Sequence, residues 1–140
     1  MILPVFILAL VGILDVGRAV YAYNTINNAA REAGRLAIVD QTVGDIQAEG
    51  AEQAVSLGIA GADIDVDFFL TSAGTSTPCT HVGTARVTEC TARVRVPYEY
   101  TAATPIIGNI LGVIDMTGET QFRVEFNCVD GGGTDCPLGD

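Results

Sequence analysis

The residues that could do chemistry in this chain are few, and their spacing suits no known reaction. His81 is the sole histidine, and Cys79-x-His81 is a poor match to the ligand spacing of a zinc site. The sequence contains neither a Walker phosphate loop nor a GxGxxG turn. Residues 130–135 place two aspartates around a glycine run, but a calcium loop needs further ligands and a closing glutamate. We therefore predict no catalytic residue, no cofactor and no metal ligand.

Three aspartates at alternate positions are the one remaining arrangement that could hold a cation. Asp63, Asp65 and Asp67 alternate with apolar side chains at 64, 66, 68 and 70, which is typical of a half-buried strand with an acidic outer face. Carboxylates spaced in this way usually face solvent. We therefore favour a solvated surface over a weak cation site.

The cysteines predict disulfides. Cys79, Cys90, Cys128 and Cys136 are even in number and form no CxxC pair, which favours bridges in an oxidising compartment over a metal site. Four cysteines allow three pairings. Cys79–Cys90 and Cys128–Cys136 are preferred because each closes a short loop, and each bridge is expected to contribute roughly 2–3 kcal/mol.

The charge is unevenly distributed along the chain. Residues 1–40 hold three arginines and three acidic residues, whereas residues 41–140 hold four arginines and fourteen acidic residues and carry the whole net charge of −10. An acidic outer part excludes nucleic acid as a partner and disfavours its direct contact with anionic lipid headgroups. It favours a soluble, exposed surface.

The element that must position everything else is the N-terminal stretch. Residues 1–14 carry no charge, and as one helix residues 1–39 would be roughly 58 Å long at about 1.5 Å per residue. A domain of this size is only about 25–30 Å across, so the helix must project from it. Pro4 favours a helix that begins near Met1, because the first turn does not need the missing N–H. A projecting apolar helix needs lipid or copies of itself to cover it.

Two other interpretations of this stretch are open. A secretory signal peptide would explain the AVYA sequence at 19–22, but no basic segment precedes the apolar run and the helical pattern continues past the site. A permanent membrane anchor is the stronger competitor, although the uncharged part is short for a span of about 20 residues. The absence of a basic leader before Met1 indicates that a leader has already been removed.

The second half of the predicted helix carries a stripe of mostly small residues that must pack closely on the rest of the chain or on other helices. The stripe comprises Ala22, Ile26, Ala29, Ala30, Ala33, Leu36 and Ala37. Asp15 and Arg18 stand three residues apart and are expected to pair on one helix face. The pair is either a local ion pair or a device that sets the axial register of packed copies.

The remaining elements predict an α+β fold. Thr42-x-x-Asp45 resembles a capping box, with Asp in place of the usual Glu, for a second helix that Gly61 would end, and the strand at 64–70 follows. The apolar face of that helix is predicted to comprise Val43, Ile46, Ala51, Ala54, Val55 and Ile59. After a polar loop at 71–78, alternation predicts strands around 85–100 and 114–126, joined by a turn in which Thr104 is the cap and Pro105 the first helical residue. The inward residues are predicted to be Val94, Val96, Tyr98, Tyr100, Met116, Thr120, Phe122, Val124 and Phe126. The sum is two helices on a three- to four-stranded antiparallel sheet, divided into an N-terminal helix (1–40) and a head with a Cys-bearing tail (41–140).

Residues 3–37 resemble the start of TadE-like pilins, the tight-adherence branch of the type IV pilin superfamily. The resemblance rests on Leu3-Pro4, GILDVGR at 12–18, YNT at 23–25 and NAAREA at 28–33, with weaker likeness at VRVPY (94–98) and TPII (104–107). The family usually carries a glutamate shortly upstream of the Leu-Pro pair, and here no acid precedes Asp15. Register must then come from elsewhere, for which Asp15 and Arg18 are the candidates.

The resemblance implies a lollipop-shaped pilin. Such proteins are cut by a prepilin peptidase, held in the cytoplasmic membrane by the apolar helix, and moved by an assembly ATPase and a platform protein into an extracellular filament that attaches to surfaces. The residues expected to pack between copies are Pro4, Phe6, Leu10, Leu14, Asp15, Arg18, Tyr21 and Ile26. The rival functions are a membrane-anchored assembly component that never polymerises and an adhesin head on a tether.

Overall fold

The structure is a computed structural model that describes residues 2–40, 42–70, 90–104, 108 and 112–124. In order along the chain the elements are α1 (Ile2–Val39), α2 (Val43–Gln53), β1 (Asp65–Leu70), β2 (Cys90–Thr101) and β3 (Val113–Arg123). The three strands form one antiparallel sheet in the order β1-β2-β3. The predicted α+β arrangement of a long apolar helix, a second helix and a three-stranded sheet is confirmed.

One face of the sheet forms the core against α1 and α2. Val94 and Val96 are fully buried on the central strand, and Tyr100 is buried near its end, as the alternation predicts. The stripe on α1 packs onto this face with Ile26 at its centre, and Ile46 of α2 joins the same cluster. The second half of α1 is therefore part of the core of the head.

The helix lies so close to the sheet that two glycines are needed at the contact. At Gly118 of β3, a Cβ atom would collide with the main-chain carbonyl oxygen of Ile26 and lie 2.6 Å from its carbonyl carbon. At Gly34 of α1, a Cβ atom would lie 2.5 Å from Thr120 Cγ2 and 2.8 Å from the Phe122 ring. Small residues on both elements thus allow the backbone of α1 to rest directly on β3.

The outer face of the sheet pairs its charges across the strands. The Arg93 guanidinium donates to Asp67 at 2.6 Å, and Arg95 Nε donates to Glu119 at 3.2 Å. Phe69 lies on this same face yet is buried, with Arg93 stacked 5.4 Å from its ring centre. The sequence alternation did not predict that Phe69 is buried, because it assigns burial only to the side chains on the inner face of the sheet.

The predicted second helix is shorter than expected, and its cap is different. Helix α2 ends at Gln53 rather than at Gly61, and two short 3₁₀ turns, Val55–Leu57 and Gly61–Asp63, lead to β1. Gly58 adopts a left-handed φ of 71°, which turns the chain so that Ile59 and Ile64 both reach the core. Val55, predicted on the apolar face of the helix, is instead 75 % exposed.

Thr42 precedes α2 but makes no side-chain capping bond. Its main-chain N–H donates to the Asp40 carboxylate at 2.8 Å, so the Asp40 side chain is the acceptor in the local hydrogen bond. We expect Thr42→Ala to change the free energy of unfolding by less than about 0.5 kcal/mol, whereas removing a side chain that caps the helix would lower it by about 1 kcal/mol. Urea unfolding of the two chains measures the difference, and Asp40→Ala, expected to destabilise more, is the matched comparison.

Several predicted features lie outside the described residues. They are the loop at 71–78, His81, residues 85–89 of the predicted second strand, residues 105–107 of the turn, Glu125 and Phe126, the loop at 130–135, and Cys79, Cys128 and Cys136.

Candidate assembly surface

Helix α1 changes character at Asp15. From Ala22 onward one face is buried in the head, whereas residues 2–10 are all exposed and the large apolar side chains up to Val20 remain uncovered, from Ile2 at 85 % to Leu8 at 46 %. An 18-residue window of α1 has a mean hydropathy of 2.1, so the helix is long and apolar enough to cross a membrane. We call residues 2–14, which precede the first buried side chain, the projecting segment.

The residues predicted to pack between copies fall into two groups. Pro4, Phe6, Leu10 and Leu14 lie exposed on the projecting segment. Higher on α1, Arg18 and Tyr21 are also exposed, and the Tyr21 hydroxyl donates to Ser56 Oγ at 2.9 Å. Ile26 and Asp15, by contrast, are buried inside the chain's own head.

Asp15 binds the segment that follows β2. Its carboxylate accepts hydrogen bonds from the N–H of Ala103 at 3.1 Å, from the N–H of Thr104 at 2.9 Å and from the Thr104 hydroxyl. Its main-chain carbonyl accepts from the Tyr100 hydroxyl at 2.7 Å. With 4 % of its surface exposed, Asp15 is a buried polar group whose hydrogen bonds are made within one chain. We call this arrangement the Asp15 site.

The Asp15 site replaces the ion pair expected from the sequence. No ion pair among the described residues joins Asp15 to Arg18, because the Asp15 side chain points into the head while Arg18 stays exposed. The Thr104 hydroxyl donates to Asp15, a contact that the sequence did not predict, while its main-chain carbonyl accepts from the N–H of Gly108 at 2.8 Å, as that of a helix-capping residue does. A carboxylate on the helix thus holds the loop that begins at Ala103.

Tyr100 supports the same site from the sheet. Burial raises the pKa of Tyr100, and the nearby negative charge of Asp15 raises it further. The phenol therefore stays protonated over the physiological range and keeps its role as a donor. Two neighbouring elements, α1 and the end of β2, are joined by this bond.

The sequence did contain a signal for the Asp15 site, but that signal indicated Arg18 as the partner of Asp15. An acid in the middle of an apolar helix must find a donor, and Arg18 is the nearest in sequence. The true donors lie 88 and 89 residues away. No pattern within the helix indicates contacts at that distance.

Within the described residues, no group of three or more His, Cys, Asp or Glu side chains is placed to hold a metal ion. Of the predicted aspartate row, Asp67 is paired with Arg93, and Asp63 accepts from the N–H of Ala60 at 3.1 Å. Cys90 is buried and disulfide-bonded. The preferred pairing, Cys79–Cys90 with Cys128–Cys136, stays a prediction.

Fold and surface together define a class of protein: a small α+β head on a helix whose first third projects with its apolar side chains uncovered. Residues 1–35 match the model of a family described as TadE-like protein, which confirms the resemblance seen in the N-terminal residues. The match ends within α1 and does not extend to the sheet. No curated protein and no solved structure matches the chain.

Proposed function

We propose that the chain is a structural subunit of an extracellular filament of the tight-adherence, type IV-like kind, built by packing α1 helices from many copies. The observation that carries the proposal is the projecting segment. Its large apolar side chains are largely uncovered, whereas α1 from Ala22 onward buries one face in the head. The match of residues 1–35 to TadE-like proteins supports the same function.

The energy of packing favours copies over isolated molecules. Burying residues 1–20 among neighbouring helices removes on the order of 1,500 Å² of apolar surface from water, worth tens of kcal/mol gross at about 25 cal/mol per Å². Part of this offsets the loss of translational and rotational freedom. Contacts between the acidic heads contribute far less free energy, and the heads repel one another at low ionic strength. The helices therefore drive assembly, and the heads form the outer coat.

The proposal assigns each part of the chain a stage. Before assembly, α1 holds the chain in the cytoplasmic membrane, where a prepilin peptidase and an assembly platform act on it as the family resemblance implies. After assembly, residues 41–140 face outward with a net charge of −10. That charge keeps the filament soluble. We assign the filament a role in surface attachment and no catalytic activity.

The test is a truncation designed on the Asp15 site. Removing residues 2–13 deletes eight of the nine exposed large apolar side chains of the projecting segment but retains Asp15 and its bonds to Ala103 and Thr104. We expect a soluble monomer that forms no filaments, measured by sedimentation and negative-stain microscopy. Cutting at residue 20 instead would also remove Asp15, so loss of assembly there would not distinguish packing from misfolding.

The matched control is Phe6→Leu in the full chain, which keeps an apolar side chain on the projecting segment. We expect it to assemble at a yield within about twofold of the parent, because hydrophobic swaps of this kind cost little. Filaments from the truncated chain would contradict the proposal.

A second function is favoured by the hydropathy of α1. A helix with a mean hydropathy of 2.1 over 18 residues also suits a membrane-anchored pilus component that never polymerises. The two functions differ in what covers the projecting segment. Material sheared from cells that make the chain contains it as polymer in the first case, and the chain stays wholly in the membrane fraction in the second.

A further inference from the structure

Gly17 is exposed in the middle of α1, and no contact among the residues that the structure describes explains why it is glycine. A Cβ atom added at Gly17 meets no other atom within 4 Å. Glycine weakens a helix interior relative to alanine, so the isolated chain would be more stable with alanine there. At Gly34 and Gly118, by contrast, an added Cβ collides with a neighbouring element, and glycine is required by close packing.

The surroundings of Gly17 form an uncharged apolar face. Ile13, Leu14, Val20 and Tyr21 stand three or four residues from it, on the same side of the helix, and each is more than half exposed. Asp15 lies about 200° round the helix from Gly17 and points into the head. Apart from the Tyr21 hydroxyl, which donates to Ser56 of the head, this face therefore looks away from the head.

We propose that α1 of a second copy of this chain crosses this face at Gly17, with backbones in close contact. The inference rests on the proposed function and specifies the contact through which the helices pack. Gly17 does on the outer face what Gly34 and Gly118 do on the inner one: it lets a neighbouring backbone approach. A second helix benefits from the missing side chain. Fluid acyl chains fill around any side chain and gain nothing from a glycine, so lipid does not explain the residue.

The test is a size series in the full-length chain. We expect Gly17→Leu to lower the yield of sheared filaments at least about tenfold and Gly17→Ala to lower it about two- to threefold, because each added carbon holds the crossing helix away. In detergent, the melting temperature of the head should stay unchanged or rise for both variants. Loss of polymer without loss of folding is the signature of a contact between copies.

The matched control is Val16→Leu, which enlarges an exposed apolar side chain about 100° round the helix from Gly17. We expect it to keep at least half of the parent yield. If the parent forms filaments and Gly17→Leu forms them equally well, the crossing at Gly17 is wrong and the proposed function stands. If the parent forms none, both fall. A Val16→Leu yield as low as that of Gly17→Leu would also overturn the crossing at Gly17.

Discussion

Replacing Gly118 with alanine is expected to lower the free energy of unfolding by about 3 kcal/mol, which is a large part of the stability of a head this small. The new Cβ would collide with the carbonyl oxygen of Ile26 and lie 2.9 Å from the nitrogen of Asn27. Both atoms belong to the backbone of α1, so no side chain can rotate away. The helix must lift off the sheet, which opens the core around Val96.

The measurement is chemical unfolding of the full chain in detergent, followed by the near-ultraviolet circular dichroism of its tyrosines. Gly44→Ala is the matched control, because it makes the same chemical change in α2 where an added Cβ meets nothing within 4 Å. We expect Gly44→Ala to be neutral or to stabilise by up to about 1 kcal/mol. Equal stabilities of the Gly118→Ala and parent chains would show that helix and sheet are not in direct backbone contact.

The core of the head was predictable because its signals are periodic. Ala22, Ile26, Ala29 and Ala33 recur at helical spacing, and Val94 and Val96 alternate with arginines, so their faces follow from geometry alone. The tightness of the contact was not predictable in the same way. Gly118 interrupts the row of apolar side chains on the inner face of β3. The reason for a glycine there is seen only in the structure, where the backbone of Ile26 lies directly against it.

Two local signals around the second helix did not predict the contacts that the structure shows. The capping box at Thr42 has the right residues, yet the bond to Thr42 comes from Asp40. The second helix has apolar residues at helical spacing beyond Gln53, but the chain must turn at Gly58 for Ile64 to reach the core. In the first case a carboxylate two residues away took the local hydrogen bond, and in the second the packing of Ile64 overrode a helix propensity worth only about 1 kcal/mol.

The Asp15 site marks where the head ends on the helix. Above it, α1 is held by the sheet along one face, and below it none of the described side chains of the helix is fully buried. Since Asp15 is buried and already accepts three hydrogen bonds from its own chain, a neighbouring copy has little access to its carboxylate. Register between copies is therefore expected to come from the shape of the apolar face around Gly17 rather than from this carboxylate.

Asp15→Asn is expected to lower the melting temperature of the head by on the order of 10 °C. The amide keeps the size of the side chain, but its NH₂ group replaces one of the two oxygens that accept from Ala103 and Thr104. A buried N–H is then left facing another donor. Amide hydrogen exchange should accelerate at whichever of Ala103 and Thr104 faces the NH₂ group, together with the loss of stability, because that N–H loses its acceptor.

Two controls separate this account from the ion pair that the sequence predicts. Thr104→Ser keeps the hydroxyl that donates to Asp15 and should shift the melting temperature by only about 2 °C. Arg18→Gln removes an exposed charge that makes no ion pair with Asp15, and it too should have a small effect, since exposed charges contribute little. If Arg18→Gln were as damaging as Asp15→Asn, with normal exchange at Ala103 and Thr104, the ion pair would be the stabilising contact. The point along α1 at which the head ends would then be set by residues within α1 itself.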